Sequence, residues 1–393
     1  MGLKKMPYLL RLKKSYRNWW LSFVLLNVII ILLAITADPY RLYPIQITIP
    51  GINDIKPRLY DYQRGVKLFD IAYQKPKTII LGSSRVLYGI DPQSKFLKKY
   101  PPVYNAGILG ASMIEVHNYF LHALASQPHL KRVILALDFY EFNSKFDNLE
   151  PGFKDIYGKT TWEIIKQRKE LLVDFHAIFA TLWDSLLRKP IKSIRWDGRL
   201  TPDPLDDKEL YRDFFAASPE TSKNNTSSQI TLPAKKIKFV VAKASPSMKN
   251  ELYKPYHLSD LEFTALKDIV ETCKKKQIEL YIYMPPTFQN TEIMAFHQLE
   301  IWQDFETFQR KLASLHSFWD FSSWNSIILT RNNFVDGTHH VFSVGDVILS
   351  RILGYKNNSI PFSFGRYVSN ENIQHHLNVI NKEYRANIQE NIQ

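Results

Sequence analysis

Cysteine is nearly absent from this chain. The 393 residues hold one, Cys273, so no disulfide can form within the chain. A single thiol does not assign a compartment, and Cys273 reads as a packing residue on a helix. Also missing are a phosphate-cradling Gly-x-x-x-x-Gly-Lys, clustered metal-ligand spacing, any nucleic-acid-binding motif and any internal repeat. These absences leave no basis for nucleotide hydrolysis, a metal centre or nucleic-acid binding. No cofactor, no metal and no nucleic-acid partner is expected.

Acidic residues are absent from the first 18 positions, which carry Lys4, Lys5, Arg11, Lys13, Lys14 and Arg17. Charge of either sign is then absent from 19–37, WWLSFVLLNVIIILLAITA. At about 1.5 Å per residue, that run spans roughly 28 Å as a helix, close to a bilayer core. Trp19 and Trp20 sit where an interfacial belt belongs. The positive-inside rule puts 1–18 in the cytoplasm and everything after Asp38 outside it. The run is long for a signal-peptide core, and Ala34-Ile35-Thr36-Ala37 is a poor cleavage site. A single-pass anchor in the plasma (inner) membrane is therefore expected, with the lipid bilayer as partner of 19–37. Six of the formal +13 charges lie in the first 18 residues, leaving +7 for the rest. That remainder suits a face near anionic lipid or an acidic polymer.

Hydrophobic residues make up 45% of the chain, enough for a sizeable core. Strand signals fall at about 77–82, 102–105, 132–137, 277–284 and 317–321, and helical patterns separate them. The run Arg132-Val133-Ile134-Leu135-Ala136-Leu137 reads as a strand covered on both faces. Helices are expected at 60–73, in the segment after Pro92, and at 113–126, 162–187, 261–276, 298–315 and 344–353. The alternation predicts an α/β protein: a three-layer α/β/α sandwich around a roughly five-stranded parallel sheet, plus one transmembrane helix.

Two stretches carry the chemistry. Thr78-Ile79-Ile80-Leu81-Gly82-Ser83-Ser84-Arg85 reads as a buried strand running into an exposed loop. In an open parallel sheet, that end of a strand is where ligands are handled. Some 250 residues later comes Asp336-Gly337-Thr338-His339. Asp336 would orient the His339 imidazole, and His339 would take a proton from Ser84. Gly-Ser-Ser and Asp-Gly are each ordinary turn material. Their pairing in the order Ser…Asp…His is more specific. Gly110 sits where a main-chain N–H would face a substrate oxyanion. Asp138, just past the third strand, is expected either at the rim against Ser84, Arg85 or substrate, or in a solvated loop or a structural ion pair. Arg85 would fix Asp138 or an anionic group on a substrate.

These blocks resemble the SGNH (GDSL-like) hydrolases. The family's first block is Gly-Asp-Ser; here it is Gly82-Ser83-Ser84. Its second, Asn-x-Gly-x-x-Gly, is matched by Asn105-Ala106-Gly107-Ile108-Leu109-Gly110, and its last, Asp-x-x-His, by Asp336-Gly337-Thr338-His339. The third block departs: Leu137-Asp138-Phe139-Tyr140-Glu141 stands in place of Gly-x-Asn-Asp, without the asparagine that donates to the oxyanion. The resemblance covers about 78–143 and 262–355. Members with Gly-Ser-Ser, such as proteins of alginate O-acetylation and teichoic-acid D-alanylation, look closer. It implies an extracytoplasmic serine esterase or O-acyltransferase with Ser84, His339 and Asp336 catalytic, and with Gly110, Asn105, Arg85 and Asp138 binding the oxyanion or substrate. The implied partners are an acylated glycan or other envelope polymer, and a membrane acyl-donor protein. The departure in the third block favours a rival reading: a non-catalytic envelope-binding or assembly module on a degenerate hydrolase fold.

The chain accordingly divides into a basic N-terminus (1–18), a transmembrane helix (19–37), a proline-broken juxtamembrane segment (38–76), the first part of the domain (77–143), an insert (144–258), the second part (259–356) and a polar tail (357–393). The insert reads as a lid or partner surface. Within it, 203–213 is acidic, 222–227 is a flexible loop, 235–243 is basic, and Asn224-Asn225-Thr226 matches a glycosylation acceptor. His176 reads as a packing residue, and His375 and His376 as surface residues of the tail.

Overall fold

A computed structural model describes residues 6–43, 48–146, 163, 166, 169–189, 191–203, 252–253, 255–356 and 360–392. The expectations for 204–251, including the Asn224 acceptor, and for Lys4 and Lys5 lie outside the described residues.

Helix α1 (Met6–Ala37) contains the uncharged run. Its 23-residue Ser15–Ala37 part, with a mean hydropathy of 2.5 over an 18-residue window, is long and apolar enough to cross a membrane. Of its last turns only Ala34 and Ala37 are buried against the rest of the chain. Asp38 ends the helix by taking a positive φ of 36° and accepting a hydrogen bond from the Leu42 N–H at 2.7 Å. The helix expected over 60–73 is in two pieces, Arg58–Asp61 and α2 (Gln63–Gln74), divided at Tyr62.

The sheet follows. Strand β1 (Thr78–Gly82) leads into the short α3 (Ser84–Gly89), β2 (Val103–Gly107) into α4 (Met113–Ser126), and β3 (Arg132–Ala136) into a 3-10 turn at Phe139–Phe142. The insert contributes α5 (Phe175–Leu187) and a two-residue antiparallel ribbon, β4 (Ser193–Ile194) with β5 (Leu200–Thr201). Then come α6 (Asp260–Lys275), β6 (Glu279–Met284), α7 (Thr291–Gln298), α8 (Trp302–Leu315), β7 (Phe318–Asp320), α9 (Phe342–Ile352), β8 (Arg366–Val368) and α10 (Ile373–Ile392). Ser112 and Ser259 cap α4 and α6 by accepting from the N–H of Glu115 and Glu262.

The strand order is β2-β1-β3-β6-β7-β8. The first five are parallel, and β8 closes the edge antiparallel to β7. Side chains alternate across the sheet as a period of two requires. Ile79, Leu81, Val133 and Leu135 pack with α4, α6 and α8 on one face. Ile80 and Ile134 pack with Val86, Ile348 and Leu349 on the other. Helices thus cover both faces. The order reverses beside β1, which places the β1, β2 and β3 exits together at one crevice.

Three expectations are corrected. The sheet has six strands because 357–393 is not a polar tail: it supplies β8 and α10. Ile373, Leu377 and Ile380 recur at helical spacing and are buried, a stripe narrow enough to be lost in the polar composition. His376 is therefore buried rather than at the surface, and its Nε2 lies 2.8 Å from Asp320 Oδ2. His375 is exposed. His176 is exposed too, and its neighbours Ala177 and Ile178 are the packing residues of α5.

Candidate active site

The β1 exit lifts Ser84 to the rim. Gly82 adopts φ 145°, where a Cβ would lie 2.8 Å from Val86 Cγ2 and 3.0 Å from the Ala136 carbonyl oxygen. Only glycine takes this bend without displacing β3. Ser83 caps α3, its Oγ accepting from the Arg85 N–H at 3.2 Å. Ser84 follows, half-buried, at the first helical position.

His339 arrives from a loop held at several points. The Val335 N–H donates to the His339 carbonyl at 2.8 Å, and the Phe288 N–H and Thr291 hydroxyl both donate to the Gly337 carbonyl. Behind the loop, α9 packs directly on α3. A Cβ on Gly345 would meet the Gly89 carbonyl oxygen at 1.8 Å. That contact sets the separation between the helix bearing Ser84 and the loop bearing His339. The outcome is a Ser84 Oγ to His339 Nε2 distance of 2.8 Å and a His339 Nδ1 to Asp336 Oδ2 distance of 2.7 Å. The Tyr88 ring stands 4.8 Å from the imidazole, and its hydroxyl is 3.0 Å from that of Tyr60.

Asp336 is built to stay ionised. Burial alone would raise its pKa. His339 and the N–H groups of Thr338 (2.6 Å) and His339 (2.8 Å) on Oδ1 outweigh burial and hold the carboxyl well below the usual range. An ionised carboxylate only accepts, so His339 Nδ1 carries the proton in the neutral ring, and Nε2 is left to accept from the Ser84 hydroxyl. This is the polarity a serine nucleophile with a histidine base requires.

Arg85 and Asp138 meet beneath the serine, inside the protein. Arg85 Nη1 donates to Asp138 Oδ1 at 2.6 Å, and Nη2 to Glu292 Oε1. The Ser83 hydroxyl donates to Asp138 Oδ2, and the Tyr253 hydroxyl to Glu292 Oε1 at 2.7 Å. Burial opposes the Arg85 charge, but Asp138 and Glu292 outweigh it and hold its pKa above the usual value. Glu141 accepts from the Asp138 N–H at 3.0 Å; burial, then the Asp138 charge, pushes its carboxyl well above the ordinary range. Arg85 is 4% exposed and Asp138 1%. Asp138 is thus found in the structural ion pair that was the alternative expectation, and not at the rim.

Asn105 is corrected as well. It is wholly buried, its Nδ2 donates to the Val86 and Ile90 carbonyls at 2.8 Å each, and its Oδ1 accepts from the Gly107 N–H. It ties the carbonyl end of α3 to β2 instead of facing a substrate. Gly110 lies half-buried in the loop after β2 with φ 57°. Sequence reasoning missed Ser83, Tyr88, Tyr253 and Glu292. No local pattern marks Glu292, which reaches Arg85 across 207 positions; the Ser83 role lay within the quoted first block. Among the described residues, no three His, Cys, Asp or Glu side chains are grouped to hold a metal.

No family model matches the chain, and no curated protein is found to be similar to it.

Proposed function

We propose that this is a membrane-anchored serine esterase or O-acyltransferase of SGNH-like architecture, acting outside the cytoplasm on O-acyl groups of a cell-envelope glycan. The observation that carries the reading is the continuous line Asp336, His339, Ser84, with 2.7 Å and 2.8 Å links. The orientation rests on α1 and on the six cations that precede its uncharged run. The substrate class comes from the family resemblance.

Ser84 Oγ attacks the acyl carbonyl carbon while His339 Nε2 takes its proton. The N–H groups of Ser84 and Gly110 are assigned to the developing oxyanion. Collapse expels the glycan alcohol, which receives the proton from His339, and leaves acyl-Ser84. A water or sugar hydroxyl then gives its proton to His339 and attacks the acyl carbon, and His339 passes that proton to Ser84 Oγ as the acyl–serine bond breaks. Asp336 holds the imidazole throughout and stabilises its charged form.

The rival, a non-catalytic envelope-binding or assembly module, draws on position 138: its carboxylate is consumed by Ser83 and Arg85 and supplies no oxyanion donor. One experiment separates the two readings. The full-length chain in detergent is treated with a fluorophosphonate, and intact mass locates the adduct. A covalent adduct is expected on the wild type and none on Ser84→Ala. An unreactive wild type with an intact thermal transition would sink the enzyme reading.

A further inference from the structure

A cleft of about 500 Å³ lies beside the end of α1. Two of its lining residues grip the last turn of the helix: Asn53 Nδ2 donates to the Thr36 carbonyl, and Lys56 Nζ to those of Ala37 (3.1 Å) and Asp38 (2.7 Å). Arg41, Lys56, Lys189 and Arg195 line it with one carboxylate, Asp54, which is engaged by Arg188; behind the lining, Lys189 pairs with Asp184 at 2.7 Å and Arg195 with Asp91 and Asp197. Arg41 is only 7% exposed; its Nη2 lies 3.1 Å from Asp70 Oδ2 as an ion pair, and neither Nε nor Nη2 makes a hydrogen bond. A cationic, membrane-proximal cleft with an unsatisfied buried guanidinium nitrogen is a place for an anion.

Helix α5 lies beside it. Ile178 packs on Ala34 and Ala37 of α1, and the Tyr40 hydroxyl donates to Asp174 Oδ2 at 2.7 Å. Its outward face repeats at intervals of four, four and three: Phe175, Phe179, Trp183 and Leu186, each more than half exposed. That face belongs to a helix packed on the last turns of α1. Arg188 and Lys189 follow immediately, as cations at headgroup depth do.

We infer that the base of the domain is a lipid-docking surface: the apolar face of α5 lies in the interface of the bilayer that α1 crosses, and the cleft takes the phosphate of an anionic phospholipid. The inference rests on the membrane-spanning reading of α1 and not on the serine chemistry. The shared ligand chemistry is an organic phosphate anion, so lipid and soluble sources must be separated.

The test uses the full-length chain in nanodiscs of phosphatidylcholine with a minority of phosphatidylglycerol, and native mass spectrometry counts the lipid retained on release. Phosphatidylglycerol is expected to be enriched several-fold over its bulk share. Lys189→Gln, at a half-exposed position, should keep the fold and lower the enrichment about fivefold, and Arg41→Gln should remove most of it. No enrichment, or enrichment unchanged in both variants, overturns the inference. Soluble glycerol 3-phosphate displacing the lipid at equal concentration would make the cleft a soluble-phosphate site and overturn it too. Cys273 is buried, so Phe179→Cys accepts an environment-sensitive dye selectively; quenching by lipid-chain quenchers is expected, and water-like unquenched emission would refute the α5 placement. Carbonate extraction of the same chain tests α1 by itself. A stripped chain would end the spanning reading, whereas a retained chain without enrichment would end only this inference.

Discussion

Replacing Asp336 with asparagine alters one atom of the side chain and reverses one hydrogen bond. Asp336 Oδ1 accepts from two N–H groups, those of Thr338 and His339, so the asparagine oxygen must stay there. The amide nitrogen then faces His339 Nδ1, which Oδ2 now contacts at 2.7 Å. An NH2 group can only donate, so Nδ1 must accept and the ring proton moves to Nε2. Nε2 would then donate to Ser84 Oγ across the present 2.8 Å contact and no longer receive its proton. In the proposed mechanism, loss of the base in this manner costs about 10³ to 10⁴ in rate, or roughly 4 to 5.5 kcal/mol of barrier. The cost in stability is smaller. Four bonds to an ionised acceptor, that of the Thr338 hydroxyl included, become neutral or reversed, which amounts to about 2 kcal/mol in all. The two readouts therefore separate. Below saturation, the second-order rate of fluorophosphonate adduct formation at Ser84 should fall at least a thousandfold, while the thermal transition moves by only a few degrees. A rate within tenfold of wild type, or one falling only in step with the folded fraction, would refute the tautomer argument.

Three further outcomes follow from the packing and from the buried charges. Arg85→Met leaves Asp138 and Glu292 buried without their cation and should cost about 3 to 5 kcal/mol; a urea midpoint unchanged from wild type would show that these carboxylates are not paired in solution. Gly345→Ala places a methyl against the Gly89 carbonyl and should cost about 1 to 3 kcal/mol. It should also slow Ser84 labelling more than unfolding explains, because the His339 loop must back away from α3; labelling at the wild-type rate would refute that contact as the spacer. Lys67 is wholly buried, donates to the Asn105 and Gly198 carbonyls, and is pulled by burial down to about 7. Between that value and the unfolded pKa of about 10.4, the unfolded chain binds the extra proton, so stability should rise with pH by up to about 1.4 kcal/mol per unit. The contribution is flat below and above that window. Lys56, held by burial near about 8, acts in the same sense. Urea midpoints at several pH values should show the rise, and Lys67→Met should reduce its slope; an identical slope in the variant would refute the assignment.

Much of the frame was legible in order along the chain. The uncharged run of α1 and the alternation of apolar strands with amphipathic helices follow from local periodicity, which needs no tertiary information. Met113–Ser126 was readable in full, as was the strand ending at Gly82. The tail was misread because an edge strand of three residues and one narrow buried stripe are weak periodic signals beside a polar majority. The long pattern over 298–315 crossed two helices, since Leu299 and Ile301 are apolar in the break as well.

At the site, the sequence by itself determined which residue types were at hand: a serine after a strand-ending glycine, and an aspartate three places before a histidine. Three places suffice for Asp336 to reach both the ring and the main chain of His339, so that half is local. Everything that joins it to Ser84 was decided in three dimensions. The 255-residue separation closes only because α9 can approach α3 at Gly345 and because the 285–291 segment grips the Gly337 carbonyl. Burial likewise decided the fates of Arg85, Asp138 and Asn105. A polar side chain in a loop motif looks available until the fold surrounds it, and a buried polar group must then be satisfied by its neighbours. Glu292 and Tyr253 supply that satisfaction from distant positions, and no spacing rule connects them to Arg85.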